Sequence, residues 1–280
     1  MVEVTCNLCG RDDPETVSQV NGARFVRCAG CGLVYLNPRP ANYLIRDLYA
    51  EYHSRNSGNE ISWSFLMRDV FGETARLLEG ARGEYGSGRL LDIGCGFGDF
   101  VALMQTKGWR AAGLDPSENA VAAATRKGIP VSRGTLEAFD APAGTFDAIT
   151  MFYVLEHLPD PMGALKKAYE LLLPGGTLVA RVPHTTPIVR MLSPFGMGAL
   201  LYDAPYHLYD FPPSVLGKML RKAGFIEVRT FPGRPTCPTG LGARLASRVF
   251  GELAKVLYTA SGGRFLLPGV SKTTIARKPA

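Results

Sequence analysis

No stretch of this sequence is long and apolar enough to cross a bilayer, since no uncharged apolar run reaches about 18 residues. The opening residues, MVEVTCNLC, have neither a basic start nor an apolar stretch behind it, so they do not read as a secretory leader. Lys and Arg form no dense run, which removes the usual signature of nucleic-acid binding. A net charge of +6 still leaves room for an acidic partner. Histidine is scarce, at four residues. Internal repeats and low-complexity tracts are missing. These gaps lead to the expectation of a cytoplasmic chain without a spanning helix. In that compartment the six cysteines need an explanation other than disulfides. What is present is enough apolar material, 46% of residues, for one full α/β domain and a small appendage.

Four of the cysteines fall in two Cys-x-x-Cys-Gly knuckles, Cys6/Cys9 and Cys28/Cys31, with 18 residues between the pairs. Thiolates at that spacing can converge on one tetrahedral ion, and the glycine relieves the turn around it. The segment between reads as a hairpin with Asn21-Gly22 as its two-residue turn. Residues 1–36 are therefore expected to be a zinc ribbon, with Cys6, Cys9, Cys28 and Cys31 as ligands of a structural Zn2+. Cys95 and Cys237 read as packing residues. Residues 37–85, opened by the stiff Asn37–Pro40, carry helical patterning that includes Phe65, Leu66, Val70 and Phe71. This stripe reads mainly as core, with a share left to cap a ligand pocket. The polar stretch His53–Glu60 interrupts it.

The organising stretch is Arg89–Val101, RLLDIGCGFGDFV. An apolar strand runs into Gly94, Gly96 and Gly98, and a helix follows. Its unpaired N–H groups and partial positive charge suit a small anionic group such as a carboxylate. A dinucleotide fingerprint would need glycine where Asp99 stands, and a Walker loop would need a Lys. Asp92 can receive an ammonium group, and Asp115, at the end of the next apolar run, stands where ribose hydroxyls are bound. An amino-acid head plus a ribose describes S-adenosylmethionine (SAM).

The stretch resembles the E/D-x-G-x-G-x-G signature of class I SAM-dependent methyltransferases. Thr145–Pro161 resembles that family's fourth motif, including Glu156-His157-Leu158, and Leu171–Arg181 carries the Pro-Gly-Gly turn usual before its fifth strand. The resemblance implies an α/β, Rossmann-like seven-stranded sheet of order 3-2-1-4-5-7-6 over residues 86–280, with a substrate-side insertion at 183–213. It places the cofactor on Asp92, Gly94, Gly96, Gly98, Asp115 and Pro116. It places the adenine at Thr135, Leu136 and Glu137, where Thr135 replaces the commoner acid, and the methyl group beside Met151, Phe152 and Tyr153.

The implied activity is methyl transfer from SAM to an O, N or C atom of a small molecule of natural-product, sugar or quinone type, with S-adenosylhomocysteine as product. Candidate catalytic residues are His207, His157 and Tyr153, with Tyr206 and His184 behind them. His207 leads because Tyr206, Tyr209 and Asp210 can orient it and because imidazole titrates near neutral pH. Two alternatives are an RNA methyltransferase gripping nucleic acid with its ribbon and a non-catalytic SAM-fold scaffold. Against the first, residues 6–31 hold only Arg11, Arg24 and Arg27 as cations, and Met151-Phe152-Tyr153-Val154 is not a base-methylating N/D-P-P-Y tetrapeptide. Against the second, Asp92, the three glycines and Asp115 are all intact. Peripheral contact with a membrane and the oligomeric state stay open.

Overall fold

A computed structural model describes residues 1–20, 22–45, 60–79, 88–192, 199–267 and 271–280. Asn21, Leu48 and most of the polar stretch at 53–60 lie outside them. The knuckles flank a hairpin of β1 (Pro14–Val20) and β2 (Ala23–Cys28), and β3 (Val34–Leu36) follows. Val20 pairs with Ala23, the register that a two-residue turn requires.

The main domain alternates as expected. Helix α1 (Glu60–Leu78) precedes β4 (Arg89–Ile93), α2 (Asp99–Thr106), β5 (Arg110–Asp115), α3 (Glu118–Arg126) and β6 (Val131–Arg133). Then come β7 (Phe146–Phe152), α4 (Pro161–Leu171) and β8 (Leu172–Val182). The seven-stranded sheet runs β6-β5-β4-β7-β8-β11-β10, which is the predicted order. Its last hairpin is β10 (Ile226–Pro232) against antiparallel β11 (Lys272–Arg277). Strands buried on both faces by helices need near-continuous apolar runs, and β7 and β8 supply them. The Pro-Gly-Gly turn is absorbed into β8 as an irregularity: Leu172 pairs with Phe146, and pairing resumes at Thr177–Ala148.

Two cores sandwich the sheet. On one face Met67 and Val70 of α1 meet Phe100, Val101 and Met104 of α2. On the other, Leu165 and Ala168 of α4 and Leu216 and Met219 of α6 (Pro213–Lys222) join Phe25, Val34 and Leu36 of the ribbon. The aromatic stripe of α1 is thus chiefly core, since Phe71 packs edge-on to Phe152 at 5.1 Å.

The insertion contains α5 (Thr186–Leu192) and a two-residue strand, β9 (Tyr209–Asp210). Strand β9 does not join the main sheet. It pairs with β3 of the ribbon, Tyr35 opposite Tyr209 and Val34 opposite Asp210, to give a second sheet of order β1-β2-β3-β9. Tyr202 of the insertion stacks on Phe25 of β2 at 4.0 Å. Two segments that the sequence sets apart therefore form one structural unit.

Candidate active site

The glycine loop leaves β4 at the crevice where doubly wound sheets bind ligands. Gly94, Gly96 and Gly98 all take positive φ, at 67°, 53° and 78°. Their reasons differ. A Cβ on Gly94 would lie 2.5 Å from Val154 and one on Gly98 2.8 Å from Ile129, whereas Gly96 faces open space. Gly96 is thus where a ligand can lie against the main chain. Cys95 points the other way and packs on Gly113, the structural role expected of it.

Asp115 is fully buried and holds this loop in shape. Its Oδ2 accepts from the Gly96 amide and its Oδ1 from the Ser117 amide, each at 2.8 Å. Asp92 accepts from the Thr150 hydroxyl at 2.6 Å. Burial, with Asp115 nearby, raises the Asp92 carboxyl to about 7. A cationic ammonium beside it would restore the charged form. At the next loop Leu136 is buried, Glu137 is exposed, and the Thr135 hydroxyl oxygen is buried without a hydrogen-bond partner. An orphaned buried polar atom on the expected adenine wall, and an open cradle at Gly96, fit the cofactor the motif implies. Pro116 is exposed at the loop's outer edge.

Met151 and Phe152 turn their side chains into the two cores, Phe152 lying 4.9 Å from the Phe100 ring. Of the strand-end residues Tyr153 is the one left at the crevice. It adopts a left-handed backbone, φ 57°, which costs a non-glycine residue of order 1 kcal/mol or more. Its hydroxyl donates to Ser271 at 2.8 Å and accepts from Arg181 Nε at 2.9 Å. Trp63 of α1 approaches its ring edge-on at 6.1 Å.

A short 3-10 turn, Leu155–His157, comes next. His157 Nδ1 donates to the Tyr206 carbonyl at 2.9 Å, since a carbonyl oxygen can only accept. The His157 and His207 rings meet at 4.8 Å, and Glu156, His157 and His207 bring ligating atoms within 4.8 Å of one another. Both Glu156 carboxyl oxygens are buried and lack a hydrogen-bond partner. Burial pushes that acid up to about 8, opposed by the ammonium of buried Lys272. His207 does not titrate near neutrality as the sequence led one to expect, because burial takes it down to about 4. Nor do its neighbours hold it as expected. Asp210 is taken by the amide and hydroxyl of Thr186, the Tyr209 hydroxyl by Arg39 at 2.9 Å, and the Tyr206 carbonyl by His157. His184 lies outside the trio, 7% exposed and held down to about 4 by burial.

The four thiols of the ribbon also converge. Cys6 and Cys31 Sγ are 3.4 Å apart, as are Cys9 and Cys28, and all four lie within 4.8 Å of one another. Four sulfurs at ~2.3 Å from a tetrahedral Zn2+ would stand ~3.8 Å apart, inside that range. The donor set and its spacing fit zinc.

The chain matches the family model described as a methyltransferase domain over residues 62–229. The protein belongs to the SAM-dependent methyltransferases. This methyltransferase is 32% identical over 179 residues to the ubiquinone biosynthesis O-methyltransferase of Xanthomonas axonopodis pv. citri (strain 306), covering 60% of its own chain and 74% of that protein. Its fold is shared with the Burkholderia thailandensis 1,6-didemethyltoxoflavin-N1-methyltransferase bound to S-adenosylhomocysteine, at TM-score 0.57 and 16% identity over 96% of this chain and all of that one. It is also shared with the Haemonchus contortus phosphoethanolamine N-methyltransferase 2 in complex with SAM, at TM-score 0.55 and 16% identity over 88% of this chain and 62% of that one.

Two residues of the methyltransferase site, Arg181 and Lys272, escape a reading of the sequence. Arg181 is 2% exposed and donates to Tyr153, to Thr273 Oγ1 at 3.1 Å and to the Arg234 carbonyl at 2.9 Å. Lys272 is fully buried, donates to the Pro183 carbonyl and is lowered to about 8 by burial. The one available signal was a cation at the edge of each of two strands, Arg181 near the end of β8 and Lys272 at the start of β11.

Proposed function

We propose that this methyltransferase transfers the methyl group to an oxygen of a small, quinone-like aromatic acceptor, with His207 as the proton acceptor. The observation that carries the reading is the contact between His157 and His207 beside the unpartnered Glu156 carboxyl, at the carboxyl end of β7. The kinship with a ubiquinone biosynthesis O-methyltransferase supports the acceptor class.

SAM, when bound, supplies a methyl group already activated on a sulfonium. The chain's own work is to hold and orient. The Gly96 cradle and the first turn of α2 receive the amino-acid head, Asp92 takes its ammonium, and Asp115 receives the ribose on its remaining lone pairs. Leu136, with Thr135 or Glu137, borders the adenine. Tyr153, fixed by Arg181 and Ser271, shapes the wall beside the reacting atoms. Most of the acceleration comes from this alignment. The depressed imidazole is neutral at working pH and keeps a lone pair for a hydroxyl proton, but burial also makes His207 a weak base, so the transfer depends on Asp210 nearby offsetting the charge that the ring gains. Cys6, Cys9, Cys28 and Cys31 hold zinc at a closed site, so the metal shapes the protein and offers no open position for chemistry.

The test is a set of catechol, phenol and amine acceptors incubated with the purified full chain and SAM, scored by S-adenosylhomocysteine release and product mass. Methylation of the hydroxylated rings is expected. Turnover confined to the amines would move the reaction to nitrogen and remove the need for a base at His207.

A further inference from the structure

The family match ends at residue 229, and α7 (Leu241–Ala260) lies beyond it. One side of α7 is packed. Ser247 Oγ donates to the Thr236 carbonyl at 2.7 Å, Tyr258 to the Thr230 carbonyl at 2.8 Å, and the Arg244 guanidinium sits 4.4 Å over the Phe65 ring. The opposite side carries Leu241, Leu245, Val249 and Val256, which are 61–84% exposed. Steps of four, four and seven put these four on one stripe. A surface helix normally turns such a stripe inward, and here nothing among the described residues covers it.

Two further observations say what does. First, the helix carries Arg244, Arg248 and Lys255 against one acid, Glu252, which stands on the stripe about 20° from Leu241 and is neutralised by Lys255 at 3.0 Å and Arg234 at 3.7 Å. At about 100° per residue Arg248 falls about 20° from Leu241, on the border of the stripe. Arg264, just past the helix, is exposed as well. Second, the helix runs into a cleft of about 610 Å3 walled by Tyr258, Arg264, Phe265, Leu266 and His184. His184 is buried there with Nδ1 unpartnered.

We propose that α7 lies in the interfacial plane of an anionic lipid bilayer, its Leu241–Val256 stripe among the acyl chains and Arg248 and Arg264 at the phosphates. No helix among the described residues is long and apolar enough to cross a membrane, and interfacial binding needs none. A second copy fits worse. Two-fold pairing of the stripe about its midpoint would set Arg248 near its own copy, whereas an anionic surface neutralises it. The cleft then opens beside the lipid, where a lipophilic acceptor would enter. That last step rests on the methyltransferase reading above, and the docking does not.

The test is flotation of the full chain with vesicles of phosphatidylcholine alone and with about one third phosphatidylglycerol. SAM binding by calorimetry serves as the check that each variant is folded. The wild type should float with the anionic vesicles and stay behind with the neutral ones. Leu245→Glu with Val249→Glu should abolish flotation. Arg248→Ala with Arg264→Ala should weaken it by about thirtyfold, from ~1 kcal/mol per cation. Equal partition onto both vesicles, or flotation by the Glu variant, overturns the proposal. So does a wild type that fails to float and sediments as a dimer which Leu245→Glu with Val249→Glu splits, since a second copy then owns the face.

Discussion

Asn7, inside the first cysteine knuckle, caps a helix that begins more than 150 residues later, alongside Asp160. Its Nδ2 donates to Asp160 Oδ1 at 2.8 Å, and its own Oδ1 accepts from the Met162 amide at 2.9 Å. Asp160 in turn accepts from the Gly163 amide. Helix α4 follows directly on the turn that carries Glu156 and His157. The ribbon thus reaches the acceptor side of the crevice from two directions, through Asn7 and through β9.

Loss of the metal should be felt there. Cys28→Ser is expected to remove most of the bound zinc and to lower turnover, while SAM affinity stays within about twofold, because the Gly96 cradle touches none of the ribbon. Metal analysis with calorimetry checks both. Hydrogen exchange should quicken at Leu36, whose amide donates to Leu208, and at Met162. Full zinc content in this variant would remove Cys28 from the ligand set.

Asp115→Ala should weaken SAM binding by at least about tenfold, or ~1.4 kcal/mol. Two effects add: the ribose partner is lost, and the Gly96 and Ser117 amides lose the carboxylate that fixes them. Calorimetric affinity equal to wild type would show that the ribose lies elsewhere.

His207→Ala should leave SAM affinity intact and lower turnover on a hydroxylated acceptor by about 10²–10⁴-fold. His157→Ala should also cost stability, because its ring ties the β7 end to the Tyr206 carbonyl. Near-wild-type turnover of the His207 variant between pH 6 and 9 would leave orientation as the whole of catalysis.

The same burial sets a pH dependence of stability. His207 and His184 are both lowered to about 4 in the folded chain, so below about 6.5 the unfolded chain binds more protons. Stability from these groups is complete above about 6.5 and is lost as pH falls toward 4, at up to about 1.4 kcal/mol per unit for each histidine. Denaturant melts of the wild type and His207→Gln between pH 7 and 4 should show the variant with the shallower decline. Parallel declines would contradict the burial.

What the sequence made legible is local. The Gly94–Gly98 turn, Asp115 nineteen residues past Gly96, and the knuckles are short-range patterns that a backbone requires wherever they fall. Strand–helix alternation gave a parallel sheet covered on both faces, and the family resemblance gave its order. The polar groups of the acceptor side were not legible, because their partners are remote. Arg181 finds Thr273, 92 residues on, and Asn7 finds Asp160. His207 does meet His157 at the turn after β7, but its partners were misjudged. Neighbours in sequence, Tyr209 and Asp210, point along a two-residue strand into other contacts, and burial reverses the titration that free imidazole would show. A strand as short as β9 carries no periodicity to read.

Strand β9 also bears on how such enzymes can be recombined. Residues 1–36 and 183–213 each supply one side of the β3–β9 pairing and of the Phe25–Tyr202 stack. An insertion grafted into a methyltransferase without this ribbon would arrive with its Tyr209 edge unpaired and its Tyr202 ring uncovered. A ribbon grafted alone would bare β3. The ribbon and the insertion are therefore two pieces that must travel together, although five strands of the main sheet separate them along the chain.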